Sequence, residues 1–303
     1  MIKPSLLAVA ALAASSGLHA ETLFALTTDN QILTLDSTAP TQGSAVRITG
    51  LDTSERLLGL DTRPTTGVLY TLSNAGKLYT LDAATGVASF VASLSNNPAN
   101  ATAFTGLNGK NFGFDFNPVA DSAGNASLRV ISDLGQSLAI NVNAASAGKV
   151  TVNGNVNAGG ATPAVVSAAY TNNVKGATAT ALYGIDAKND ALYTIVPATG
   201  AATYVNKLGL NALSVSAFDI SYSGASFAAL ADQDGYSWLF AIGLTPGSGN
   251  AATYLGGFGI AGNTAIPLVV GLTAAAPVPE PGSLALVLTG LAVGGLMVRR
   301  RSA

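Results

Sequence analysis

Leu69-Tyr70-Thr71-Leu72, then Ser73-Asn74-Ala75-Gly76, then Leu78-Tyr79-Thr80-Leu81-Asp82, is the stretch that decides the fold. Apolar and polar residues alternate with period two on either side of the break, as in half-buried strands. The Asn and Gly between them supply the positive φ that a tight reversal needs, so the stretch reads as a β-hairpin. The phrase recurs as Leu182-Tyr183-Gly184-Ile185, Lys188-Asn189-Asp190 and Leu192-Tyr193-Thr194-Ile195. Weaker copies run from Leu23 to Asp36, Leu128 to Asn141 and Phe227 to Leu244. Three copies continue through a turn into a further strand, at Thr85-Gly86-Val87, Thr199-Gly200-Ala201 and Gly249-Asn250-Ala251.

A second phrase precedes most hairpins. It reads Gly59-Leu60-Asp61, Gly113-Phe114-Asp115, Ala168-Ala169-Tyr170, Ala217-Phe218-Asp219 and Gly271-Leu272-Thr273, at intervals of 54, 55, 49 and 54 residues. Small residues at its start suit inner strands where neighbouring sheets crowd together. Repeats of four short strands at this period are the signature of a β-propeller. The chain is therefore expected to be all-β, a propeller of about five blades between Glu21 and Ala276, with a six-bladed ring or a β-sandwich as alternatives. The last inner-type strand, Pro267 to Thr273, lacks a hairpin after it, and the first hairpin, Leu23 to Asp36, lacks an inner strand before it. Their pairing would build one blade from both chain ends and close the ring without a free edge.

The two ends of the chain read as addresses. Residues 1–20 carry Lys3, an apolar run from Leu6 to Ala14, and a small residue, Ala20, before Glu21. This is the pattern of a signal peptide cut by signal peptidase between Ala20 and Glu21. At the other end, 277–303, Val278-Pro279-Glu280-Pro281-Gly282 precedes an apolar segment from Ser283 to Val298 and the basic cluster Arg299-Arg300-Arg301. A helix over that segment would reach roughly 24 Å, a short transmembrane helix held by arginines on the cytoplasmic side. The order of motif, apolar helix and basic tail resembles the PEP-CTERM sorting signal of Gram-negative bacteria. The resemblance implies transient inner-membrane association, processing by an exosortase, and release or attachment at the cell surface.

Composition narrows the function classes. Of 303 residues, 10% are charged, and cysteine is absent, which excludes disulfides, thiolate metal sites and cysteine nucleophiles. Trimming at both ends leaves ten Lys and Arg against fifteen Asp and Glu, a net charge of −5, unsuited to nucleic acid. The only histidine, His19, leaves with the signal peptide. The trimmed chain can then build no Ser-His-Asp triad and no His-ligated metal site. No catalytic residues, cofactor or metal are expected.

The folded region resembles a bacterial family, the domain of unknown function forty-three ninety-four. The likeness is carried by Leu57 to Tyr70, Phe112 to Pro118, Arg129 to Leu138 and Ala168 to Asp186. It implies a propeller-like repeat and frequent pairing with export signals, and no assigned activity. Residues Val119 to Ser127 are extra here and would lengthen one loop.

Asp61, Asp115 and Asp219 occupy the same place in three repeats and are the candidate binding residues. They read as structural carboxylates accepting backbone N–H groups at a blade corner; the alternative is a carboxylate ring at the central channel, able to hold a cation or sugar hydroxyls. Tyr170 and Thr273 take that place in the other two repeats. Asp232-Gln233-Asp234-Gly235 reads as a hairpin turn rather than a calcium loop, since the downstream Glu is missing. Asp186, Asn189 and Asp190 read the same way. Tyr70, Tyr79, Tyr183 and Tyr193 are expected to pack between blades, and Trp238 in the core. Arg63 and Arg129 could bridge blades to acidic partners, or lie at the surface. The stretch Asn141 to Thr162 reads as a long loop or a poorly formed outer strand. The expected function is an exported surface or biofilm-matrix module, non-enzymatic, binding extracellular polysaccharide or protein. The alternative is an extracellular hydrolase or lyase using Asp carboxylates.

Overall fold

The computed structural model describes residues 20–213, 216–247, 249–260 and 268–276. The signal segment before Ala20 and the sorting segment, 277–303, lie outside them. Among the described residues no helix is long and apolar enough to cross a membrane.

Five antiparallel sheets form five blades. Blade one is Leu57–Thr62, Leu69–Ser73, Lys77–Leu81 and Ala88–Ser93. Blade three is Val165–Tyr170, Leu182–Asp186, Ala191–Ile195 and Ala202–Lys207, and blade four is Ser216–Ile220, Ser226–Ala231, Ser237–Ile242 and Ala252–Gly257. Blade two is Phe112–Phe116, Ser127–Ser132, Ser137–Asn141 and Lys149–Val152, with a two-residue strand, Ser95–Asn96, added in parallel at its outer edge. Its outer strand is thus formed within the weakly patterned stretch Asn141 to Thr162, beside one 3₁₀ turn, Ala144–Ser146.

The closing blade joins both ends. Val269–Ala274 is its inner strand, hydrogen-bonded to Thr22–Thr27, which continues into Gln31–Asp36 and Ala39–Arg47. Phe24 pairs with Thr273 and Ala25 with Leu272. Each inner strand packs against the inner strands of the two adjacent blades, so the ring is complete.

Burial follows this plan. There are five apolar clusters, one in each gap between neighbouring blades, rather than a single central core. Blade one meets blade two through Tyr70, Leu72, Phe114 and Val130, with the rings of Tyr70 and Phe116 edge to face at 5.3 Å. The axis is tighter still. A Cβ on Gly113 would stand 2.5 Å from Ala168 N, and one on Gly271 2.7 Å from Leu60 N. Only a space of about 10 Å³ remains among Leu60, Phe114, Ala168, Phe218 and Leu272.

The extra residues after Asn117 form a short helix, Pro118–Ser122, instead of an open loop. Asn117 caps it by accepting from Val119 N and Ala120 N, and Pro118 supplies a pre-set first turn.

Candidate functional site

Inner strands bring the repeated aspartates together. Asp61, Asp115 and Asp219 are each 1% exposed. Each offers a carboxylate oxygen within 4.8 Å of those of the other two. The expected corner role is present as well. Asp61 Oδ2 accepts from Phe116 N of the next blade at 2.7 Å, Asp115 Oδ2 from Tyr170 N at 3.1 Å, and Asp219 Oδ2 from Ala274 N at 2.6 Å. The position is the ring axis rather than a blade corner.

The donors in this set correct the repeat alignment. Phe116 follows Asp115 and Ala274 follows Thr273, so Tyr170 is the residue after the aspartate position, and that position in blade three is Ala169. Pairing agrees: Asp61 faces Tyr70, Asp219 faces Phe227, and Ala169 faces Tyr183. A register shift between Val165 and Ser167 precedes the blade-three phrase, as one between Leu57 and Gly59 precedes that of blade one. The closing blade keeps Thr273 in place, its hydroxyl donating to Asp61 Oδ1 at 2.8 Å.

The three carboxyls interact strongly. Burial pushes Asp61 and Asp115 well above the ordinary carboxylate range, and mutual repulsion within the trio adds to it. Burial likewise raises Asp219 to about 7, with the amides of Ala274 and Ile220 pulling the other way and Glu21 adding repulsion. Asp61 has both oxygens hydrogen-bonded, through Thr62 N, Thr273 Oγ1 and Phe116 N. Asp115 Oδ1 and Asp219 Oδ1 have no donor in hydrogen-bonding geometry.

A cavity of about 540 Å³ opens at the end of the inner strands next to the trio. Thr62 and Ala274, neighbours of Asp61 and Thr273, line it together with Thr65, Asn173, Lys175 and Tyr222. Tyr222 is 40% exposed. Among the described residues no Asp or Glu lines this cavity. Its rim is fastened by the short helix: Asp121 accepts from Arg63 Nε at 2.7 Å and from Thr65 Oγ1 at 2.7 Å, and Ser122 Oγ accepts from Gly176 N at 2.9 Å. One helical turn thus ties the loops of blades one, two and three.

The other candidates fall into place. Arg63 does bridge two blades, through Asp121. Arg129 is buried and has no acidic partner among the described residues; it donates to Tyr170 Oη, Ser137 Oγ and Asn153 Oδ1. Tyr70 and Tyr79 are buried, and Tyr193 stacks edge to face on Tyr204. Trp238 departs from the core reading: it is half-buried, its Nε1 donating to Asp232 at 2.6 Å. That carboxylate also accepts from Asp234 N and Tyr236 N, which makes the Asp232–Gly235 stretch a turn. Asp186 accepts from Ala164 N, Lys188 N and Asn189 Nδ2 and is structural too. At the start of the described residues, Ala20 is exposed and Glu21 is buried. The cavity residues Asn173, Lys175 and Tyr222 had no sequence signal, because loops of three different blades supply its lining. Asp121 was foreshadowed only by the extra length after Asn117-Pro118.

A family model described as a domain of unknown function (DUF4394) matches residues 31–265. No curated protein matches the chain. Similar solved structures include a Bacteroides caccae protein of unknown function, 11% identical, with 77% of this chain and 72% of that one covered and a TM-score of 0.39. An auxiliary nutrient binding protein from Bacteroides thetaiotaomicron is 15% identical over 68% of this chain and 55% of its own, with a TM-score of 0.39. Myxococcus xanthus glutaminyl cyclase is 13% identical over 69% and 90%, with a TM-score of 0.38. None of these likenesses bears on activity.

Proposed function

The chain belongs to the DUF4394 family, and from that premise we propose that it is an exported, non-catalytic module that binds hydroxyl-rich polysaccharide at the bacterial surface. The observation that carries the reading is the cavity at the loop face. Its walls offer Thr65, Thr66 and Asn173 for hydroxyl groups, Tyr222 for a sugar face and Lys175 for an acidic substituent. Most glycoside hydrolases use two carboxyl groups flanking the scissile bond, about 5 to 10 Å apart. The cavity presents none among the described residues, and the axial aspartates are too deeply buried to reach a substrate. This favours binding over the hydrolase alternative.

Delivery completes the proposal. Cleavage between Ala20 and Glu21, then exosortase processing at Val278, Pro279, Glu280 and Pro281, would free the ring from its arginine-anchored tail. The ring would then sit at the cell surface or in the matrix.

Affinity electrophoresis in the extracted exopolysaccharide of the host is the test. Retardation of the wild type, weakened about tenfold in Tyr222→Ala by loss of one stacking contact, supports the reading. Unretarded migration rejects it, and new reducing ends released from the polymer would establish the hydrolase instead.

A further inference from the structure

The axial carboxylates hold a further site, independent of the polysaccharide reading. Three acids from blades one, two and four converge, each nearly sealed from solvent. A carboxylate cluster can be merely structural, and the hydrogen bonds from the next blades explain one oxygen of each. They leave Asp115 Oδ1 and Asp219 Oδ1 buried and without a donor. A buried acceptor with no partner is costly, and here two occur in the same cluster of like charges. Arg129, the nearest basic residue in the ladder, directs its guanidinium to Tyr170, Ser137 and Asn153. The other acid acting on the trio, Glu21, adds negative charge.

We propose that this cluster is a metal site taking one calcium ion, bound by Asp115 Oδ1, Asp219 Oδ1 and the Asp61 carboxylate. The donors are all oxygen, which selects a hard cation. Ligand distances of about 2.3–2.6 Å place opposed oxygens up to about 5 Å apart around calcium, which accommodates oxygens within 4.8 Å of one another. Calcium takes six to eight oxygens, and water from the loop-face cavity would complete the shell that the three carboxylates begin. Entry is from the loop face, where Thr62 and Ala274 line the open cavity. The carboxylates are oriented before the ion arrives, since Phe116 N, Tyr170 N and Ala274 N each donate to one of them.

The test uses the full chain, stripped with chelator and titrated with calcium chloride at about neutral pH. Calorimetry should give one ion per chain, and calcium about 100-fold above its Kd should raise the melting midpoint by about 5–10 °C. Asp115→Asn and Asp219→Asn keep an oxygen for the Tyr170 and Ala274 amides and remove the free carboxylate oxygen. Each should fold and bind calcium at least about 100-fold more weakly. Absence of saturable binding by the wild type, with one midpoint in calcium, magnesium or chelator, overturns the proposal in favour of carboxyls that share protons. Folded variants that keep full calcium affinity overturn it too. If neither variant folds, anomalous scattering from manganese in wild-type crystals decides: a peak among the three aspartates supports the site, and a peak elsewhere contradicts it.

Discussion

Gly113 shows what a single residue does in this ring. Its missing side chain lets the inner strand of blade three approach to van der Waals contact, and Ala168 backbone occupies the space a Cβ would need. Gly113→Ala should destabilise the chain by about 1–3 kcal/mol, as overpacking does. Gly124, with φ of 81° and nothing within 4 Å of its Cβ position, carries only a backbone penalty, and Gly124→Ala should cost about 1 kcal/mol. Denaturant melts of the two variants compare them directly. The axial aspartates act at the same scale. A carboxyl whose folded pKa is raised stabilises the protein below its unfolded pKa of about 3.8, and that stability is lost as pH climbs toward the folded value. For Asp219, raised to about 7, the chelated protein should lose on the order of 2–3 kcal/mol between about pH 5 and about pH 8. Asp219→Asn should flatten that slope, and a wild type whose stability rises over the same range would contradict the assignment. The aspartate repeat was legible in the sequence as a recurring phrase. Its convergence was not, because the distance between equivalent residues depends on how many blades surround the axis.

At the scale of elements, the helix Pro118–Ser122 fastens the cavity rim. Asp121 is fully buried, and Arg63 and Thr65 both donate to it. Asp121→Ala strands a partly buried guanidinium and should cost about 3 kcal/mol or more. Amide hydrogen exchange at Thr65, Thr66 and Gly67 should accelerate, while exchange in blade four stays as in the parent. This element escaped the sequence reading because five residues are too few for a helical stripe to register; Asn117-Pro118, a cap followed by a first-turn proline, was its one mark. The closing blade was legible, since each end of the chain carried half of a repeat. Deleting 268–276 exposes the inner edge of Thr22–Thr27 and the apolar flank of blade four. The truncated chain should lose its cooperative thermal transition, and a melt like the parent's would show that the ring does not depend on closure.

For the whole molecule, stability resides in five separate gaps between blades, each sealed by both of its neighbours. That explains why the alternating strands and the crowded inner phrase were enough to read the architecture, whereas the binding face was not. Strand periodicity is a property of each repeat, and a cavity lined by loops of several blades has no period. The one misaligned position has a local cause: Ser167-Ala168-Ala169 is a run of three small residues, so composition aligned Tyr170 where geometry places Ala169. The ring pairs the inner strand of its closing blade with the first strand of the chain and contains no disulfide. The ring is proposed to be the working unit that export delivers. The most direct measurement is the intact mass of the protein recovered from its own host, with and without the exosortase. A species beginning at Glu21 and ending near Pro281 is expected in the wild type, and a membrane-bound form retaining Arg299, Arg300 and Arg301 in the mutant. The same full-tail species in both strains would contradict it.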